Sequence, residues 1–352
     1  MFKEFFKKES PLLGILGLGG GIGRGGGVVQ GIEASGGSAF EIGDYKLHVI
    51  SSSTPSPTKE FTISALTSNP TNNVIDFLVV GGGGGAGGGD NSYGGGGGAG
   101  GVIFRPGKPI SSTGGPYPIT IGSGGSGLPI NGPNPGQQPS TDGADTVVGS
   151  SPDPIYFIAK GGGGGASGAG YVFGTGGRPG GSGGGGGGGA SADGTVGNAT
   201  QPSQPGESGT YGHSGNGGTS GGGGGGGSGN GGSGPGSGGS GADGYQVPSG
   251  FLPPSVPGPL ASAISPITAP SPEFRYFGAG GAGNSSATGG AGGGGDGGPS
   301  DPLSSLPDLP SAAYGVDGRG SGGASWTSNN PRSYAGDGGN GIVLIKYKFQ
   351  NY

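Results

Sequence analysis

From residue 206 to residue 227 every third residue is glycine without exception. The same spacing runs from residue 162 to residue 189, broken only at Tyr171, and from 223 to 244, broken only at Pro235. A looser run extends from 280 to 298, broken at Ser286. A three-residue period is that of an extended left-handed helix of the polyproline type, which rises about 3.1 Å per residue and has no internal hydrogen bonds. Its amides and carbonyls point outward and must be paired by neighbouring segments. Glycine at the inward positions lets backbones approach closely enough to pair. The frame slips at 223–227 and other segments interrupt it, which argues against collagen. The expectation is several short polyglycine-type helices from one chain, packed side by side. A flexible linker is the competing reading of any single tract.

Composition sharpens the choice. Glycine supplies 105 and proline 31 of the 352 residues, and only 28% are hydrophobic. Any conventional core must be small and local. Ordering a residue costs about 1–2 kcal/mol of backbone entropy, and glycine loses the most. Ordered glycine tracts therefore need dense backbone pairing. The net charge of −5 leaves no broad basic surface for nucleic acid. With no cysteine, disulfides, thiolate metal sites and thiol nucleophiles are excluded. No apolar run is long enough for a membrane-spanning helix.

The remaining apolar residues are grouped at strand spacing. Residues 40–50 (FEIGDYKLHVI) and 59–66 (KEFTISAL) alternate as half-buried strands do. Residues 73–80 (NVIDFLVV) are more continuously apolar, the mark of a strand covered on both faces. Further strands are expected at 102–105, 117–121, 146–149 and 155–159, and a closing one at 342–348 (IVLIKYK). The fold expected is mainly β with a polyglycine II-type helix bundle, a small β-rich head and little or no α-helix. Four parts follow: a docking arm (1–27), a β-rich head with the first glycine tracts (28–160), a glycine-rich body with Pro-rich connections (161–337), and a closing strand (338–352). The first and last strands are expected to share one head.

Catalytic and cofactor signals are weak. The run at 81–87 satisfies a G-x-G-x-x-G pattern, but polyglycine does so automatically and no helix can follow. Gly107-Lys108 lacks the rest of a phosphate loop. His48 and His213, the two histidines, are far apart, and His48 reads as a packed strand residue. Asp193 echoes a calcium-binding nonapeptide only loosely. No nucleophile, base and orienter assemble, so no enzyme, cofactor or metal is expected. The opening stretch has a basic start and a short apolar run, yet Glu4, Glu9 and its glycines make a poor export signal. It reads better as an arm docking on a partner through Phe2, Phe5, Phe6, Leu12, Leu13 and Leu16. A glycine bundle offers few side chains, so recognition is expected on its aromatic connections: Phe251, Phe274, Tyr276, Phe277, Trp326 and Tyr334. The competing role for these aromatics is packing.

The order of pieces resembles the glycine-rich domain of structural and tail-fibre proteins of marine bacteriophages, including those of cyanobacteria. The residues that carry it are Asp44-Tyr45-Lys46-Leu47-His48-Val49, Val79-Val80 running into a glycine tract, and Val102-Ile103-Phe104 after a second tract. Tyr117-Pro118-Ile119-Thr120-Ile121, Ala159-Lys160-Gly161 and Gly341-Ile342-Val343-Leu344-Ile345-Lys346-Tyr347 complete the set. The resemblance covers roughly residues 32–348 and implies a non-enzymatic virion component. It points first to a tail fibre or adhesin subunit, with other virion proteins as partners through the arm and a host surface receptor, such as a glycan. By analogy with fibres it implies a homotrimer. Polyglycine helix bundles are also known in phage adhesins. A capsid-decorating or tail-accessory protein and an extracellular glycine-rich matrix protein are the alternatives.

Overall fold

The computed structural model describes residues 31–53, 59–88, 94–127, 140–167, 176–188, 195–201, 212–219, 221–233, 239–253, 258–264, 272–283, 287–297, 314–326 and 334–349. The chain is mainly β. Its strands are β1 (Glu33–Ser35), β2 (Ser38–Ile42), β3 (Tyr45–Ser51), β4 (Glu60–Ala65), β5 (Val74–Val80), β6 (Val102–Pro109), β7 (Gly114–Thr120), β8 (Thr146–Val148) and β9 (Phe157–Ala159). After these come β10 (Gly212–His213), β11 (Tyr245–Gln246), β12 (Tyr276–Phe277), β13 (Ser325–Trp326), β14 (Tyr334–Ala335) and β15 (Ile342–Lys348). One short helix, α1 (Gly258–Ile264), lies in the Pro-rich segment, where none was expected.

Two sheets hold the head, in the orders β1-β4-β7-β8-β9 and β10-β6-β5-β15-β3-β2. The closing strand β15 sits between β5 and β3, antiparallel to both, so the last strand is central to the first ones. Alternation explains the packing. Ile75, Phe77, Val79, Val343, Ile345 and Tyr347 point between the sheets, against Phe61, Ile63, Ile119 and Phe157. Leu78, Val80, Ile342 and Leu344 point to the other face, where Val247, Phe251, Leu252, Leu260, Ile264 and Phe277 cover them. Both faces of β5 and β15 are therefore buried over most of their length, as their largely apolar runs require. β3 differs from the half-buried strand expected: Leu47 through Ile50 are all buried, because the Pro-rich segment covers the second face. The stretch 40–50 is also two strands, not one. Gly43, at φ 58°, turns β2 into β3.

The glycine segments pair by a different rule. Along 81–87, Gly81, Gly84 and Gly87 donate to Gly101, Gly98 and Gly95. Gly82 and Gly85 donate to Ala144 and Thr141, while Gly83 and Ala86 donate to Gly339 and Gly336. Successive amides thus address three different neighbours in rotation, with a period of three. Segment 94–101 is fully enclosed. It donates to 160–166, 222–225 and 320–323, and accepts from 81–87, 182–185 and Gly281. Six surrounding segments pair with its backbone directly. A Cβ added at Gly97 would overlap the Gly84 carbonyl. Small methyls fit at a few points, as where Ala282, Ala287 and Ala324 meet.

Candidate functional site

The strands of the head run directly into the glycine segments, which gives the molecule two ends. β5 continues into 81–88, and 94–101 leads back into β6. Segments 122–127 and 160–167 leave β7 and β9, and 140–145 and 335–341 lead into β8 and β15. At the head end, the Ile32 N–H donates to the Lys348 carbonyl (3.3 Å), so the first described residues lie beside the end of the last strand. The other end is fixed by register. Gly87 pairs with Gly95, Gly85 with Thr141, Ala86 with Gly336 and Gly336 with Ala324, all remote from the strands. The hairpin β13–β14, just beyond Ala324 and Gly336, therefore lies at this free end.

That hairpin sets Trp326 opposite Tyr334. Two of the six aromatics nominated from sequence are thus brought together, on backbone anchored by the Ser325 N–H donating to the Ala282 carbonyl (2.9 Å). On the flank of the same pair of segments lies a recess of about 650 Å³, lined by Ser126, Tyr314, Val316, Asp317, Asp337 and Asn340 among others. Tyr314 is exposed, one of few large apolar side chains among the described residues that are. Backbone amides hold the acceptors: Gly127 N–H to Asp337 Oδ1 (2.7 Å), Gly124 N–H to Asn340 Oδ1 (3.0 Å) and Asn340 N–H to Asp317 Oδ1 (2.9 Å). Sequence reasoning passed over Tyr314; it ends a Pro-rich connection and directly precedes Gly315, which joins the lattice.

The other four aromatics lie elsewhere, over the outer face of the six-stranded sheet. Phe251 is buried and meets Phe104 edge-on at 5.1 Å. Phe277 is fully buried, and the Arg319 guanidinium sits 4.8 Å from its ring centre. Phe274 and Tyr276 are half-buried beside them, and Arg319 Nη1 donates to both of their carbonyls (2.8 and 2.6 Å). Phe251 and Phe277 are core residues, which corrects the expectation that they present a contact surface. The physical reason is the second apolar face of β5 and β15, which needs this cover. The arm residues Phe2, Phe5, Phe6, Leu12, Leu13 and Leu16 lie outside the described residues.

A further set went unrecognised in the sequence. Where a glycine segment reaches the lattice edge, a side-chain oxygen replaces the missing carbonyl. Gly164 and Gly161 donate to Asp142 and Asp145 (2.9 and 2.8 Å), three residues apart on both segments. Asn216 accepts from Ala199 (2.7 Å), Asn230 from Asn216 (2.8 Å), Asp243 from Ala291 (2.8 Å) and Asp296 from Gly289 (2.8 Å). Lys160 and Arg178 pair with Asp145 and Asp142 at 2.7 and 2.9 Å, contacts exposed enough to contribute about 0–1 kcal/mol. Spacings such as 142/145 and 337/340 within glycine tracts were the available signal.

The histidines are occupied internally. His48 is bonded to Gly36 and Tyr347, and His213 stacks on Tyr245 at 3.8 Å. Burial pushes both imidazoles below their ordinary value. Among the described residues no His, Asp and Glu side chains group as a metal site, and no helix is long and apolar enough to cross a membrane. The free end carries the β13–β14 pair, and the recess on the flank carries the exposed Tyr314 and backbone-anchored oxygens of Asp337, Asn340 and Asp317.

A strand sandwich that runs into a backbone-paired glycine lattice defines a glycine-rich structural domain. Residues 58–348 match the family model described as "Glycine-rich domain", and the chain belongs to that family. No curated protein matches the chain significantly.

Proposed function

We propose that this protein is an attachment component of a bacteriophage particle, a tail-fibre or adhesin-type subunit that meets the host through the free end of its glycine bundle. The observation that carries the reading is the opposition of the two ends. The segment leading from residues 1–30 joins at the head, beside Lys348, while β13–β14 lies beyond the far end of the lattice. Docking through the arm and recognition by Trp326, Tyr334 and Tyr314 would then act at opposite ends. Ring faces stack on sugars, and Asp337, at the edge of the flank recess, supplies an acceptor, so a glycan fits the proposed receptor. The intervening segments serve as a spacer of left-handed polyglycine-type helices. Their three-residue bonding period supports this, as does the absence of positive φ along 81–87 and 94–101.

The test is the double variant Trp326→Ala/Tyr334→Ala, measured for host adsorption and for thermal melting. Lost adsorption with unchanged melting is expected. Unchanged adsorption overturns the assignment of contact to this end. Removing residues 1–24 should leave a folded protein that no longer joins the particle, and normal incorporation would refute the docking role.

A further inference from the structure

We infer that His48 and Tyr347 form an acid-sensitive latch that fastens β1, the root of the N-terminal segment, onto the sandwich. His48 lies on β3 and is 1% exposed; Tyr347 lies on the neighbouring strand β15 and is 2% exposed. The Gly36 carbonyl can only accept, so His48 carries its proton on Nδ1 and donates there (2.6 Å). Nε2 then accepts from the Tyr347 hydroxyl (3.0 Å). The same hydroxyl lies 3.3 Å from the Ala34 carbonyl. Two side chains on central strands thus reach two carbonyls of the stretch 34–36.

That stretch is where the chain changes sheets. β1 pairs with β4 in the five-stranded sheet, and β2 pairs with β3 in the other. The crossing is made by Gly36 (φ 134°) and Gly37 (φ 56°), both in the region that only glycine enters readily. β1 is a three-residue edge strand whose register with β4 shifts between Glu33 and Ala34. With so short a ladder, the latch bonds are a large part of what holds it.

Protonation reverses the bonding. A hydrogen on Nε2 turns the tyrosine hydroxyl into an acceptor from His48 and sends its own hydrogen toward the Ala34 carbonyl, so what opposes the closed state in acid is the burial of the new charge. The new cation is buried between the ring of Phe61, perpendicular to it (5.4 Å), and that of Tyr347, stacked on it (5.5 Å). The surrounding charged groups offer it little relief. On β3, Lys46 repels it. On β2, Ala39 stands opposite it, and Glu41 stands opposite Lys46. β4 contributes Phe61, and burial, with a smaller push from Glu33 of β1, raises the Tyr347 hydroxyl to about 12, so it stays neutral. Burial, ahead of the Gly36 bond, holds His48 below its ordinary value. Its contribution is therefore complete above the unfolded value, about 6.5, and is lost as pH falls through that value toward the folded one.

The experiment is hydrogen exchange of the full chain from pH about 7 to about 4.5, corrected for intrinsic rate. It compares wild type, His48→Gln and Tyr347→Phe. In the wild type, amides 33–38 should lose protection by about tenfold or more relative to β5, and His48→Gln should remove that pH slope. An equal slope in His48→Gln, or β1 protection that follows β5 throughout, overturns the latch. Should His48→Gln fail to fold, imidazole titration by NMR in wild type, assigned with His213→Gln, decides. A His48 that titrates at its ordinary value sinks the inference.

Discussion

The sandwich and the glycine lattice bury their backbones equally well by opposite means. In the sandwich each strand sends alternate side chains to two faces, and Phe77 or Leu344 excludes water from the ladder beside it. Sequence identity matters there through volume and shape. In the lattice around 94–101, each backbone is the packing surface of its neighbours, and successive amides point to three segments in turn. Identity matters there through the absence of a side chain. A core residue contributes by what it adds, with about 1.5–3 kcal/mol for burying a large apolar side chain. A lattice glycine contributes by what it leaves out.

Deleting residues 342–352 tests whether the head depends on its most distant strand, and it should have the largest effect. β15 is bonded on both sides, so its removal splits the six-stranded sheet. No cooperative melting transition is expected; a truncated chain that melts normally would contradict the topology. Next in size is the smallest side chain placed inside the lattice. Gly97→Ala should cost more than about 4 kcal/mol, because its Cβ overlaps the Gly84 backbone. Gly229→Ala meets nothing within 4 Å and should stay within about 0.5 kcal/mol of wild type. Equal losses at the two sites by calorimetry would mean the lattice is held by something other than close backbone contact.

The smallest effect belongs to the lattice edge. Asp145→Ala leaves the buried Gly161 amide without its acceptor and should cost about 1–3 kcal/mol in denaturant unfolding. Asp145→Asn keeps an oxygen in place and should recover most of that loss. If the two variants unfold alike, the exposed pairing with Lys160 is what counts, and the edge is not capped as described.

Much of this was legible because the signals are local. The alternation in 40–50 and 59–66, the apolar stretches at 73–80 and 342–348 and the period of three in the tracts are written into consecutive residues. The order of strands agrees with that reading. What escaped it depends on residues far apart. Asn340 reads as a polar residue in a tract until Gly124, 216 positions earlier, donates to it. Phe251 and Phe277 read as exposed loop aromatics because nothing nearby shows that β5 and β15 need a second cover. Gly43 was overlooked inside an apolar stretch, where one positive φ turns a single strand into a hairpin. Trp326 and Tyr334 were nominated by residue type alone, and only the pairing of β13 with β14 makes them neighbours.

The edge caps also govern how the chain ages. Asn216, Asn230 and Asn340 are each followed by glycine, the sequence most prone to deamidation. That reaction needs the glycine nitrogen to attack the side-chain carbonyl and close a succinimide ring. Here the nitrogens of Gly217, Gly231 and Gly341 are bonded to Gly197, Asn216 and Gly122 (3.0, 2.9 and 2.9 Å). The carbonyls they would attack are held by Ala199, Asn216 and Gly124 on other segments. Nucleophile and electrophile are turned toward different neighbours, so ring closure waits for the lattice to open. A deamidated Asn-Gly pair at these positions would thus be a chemical record of past opening.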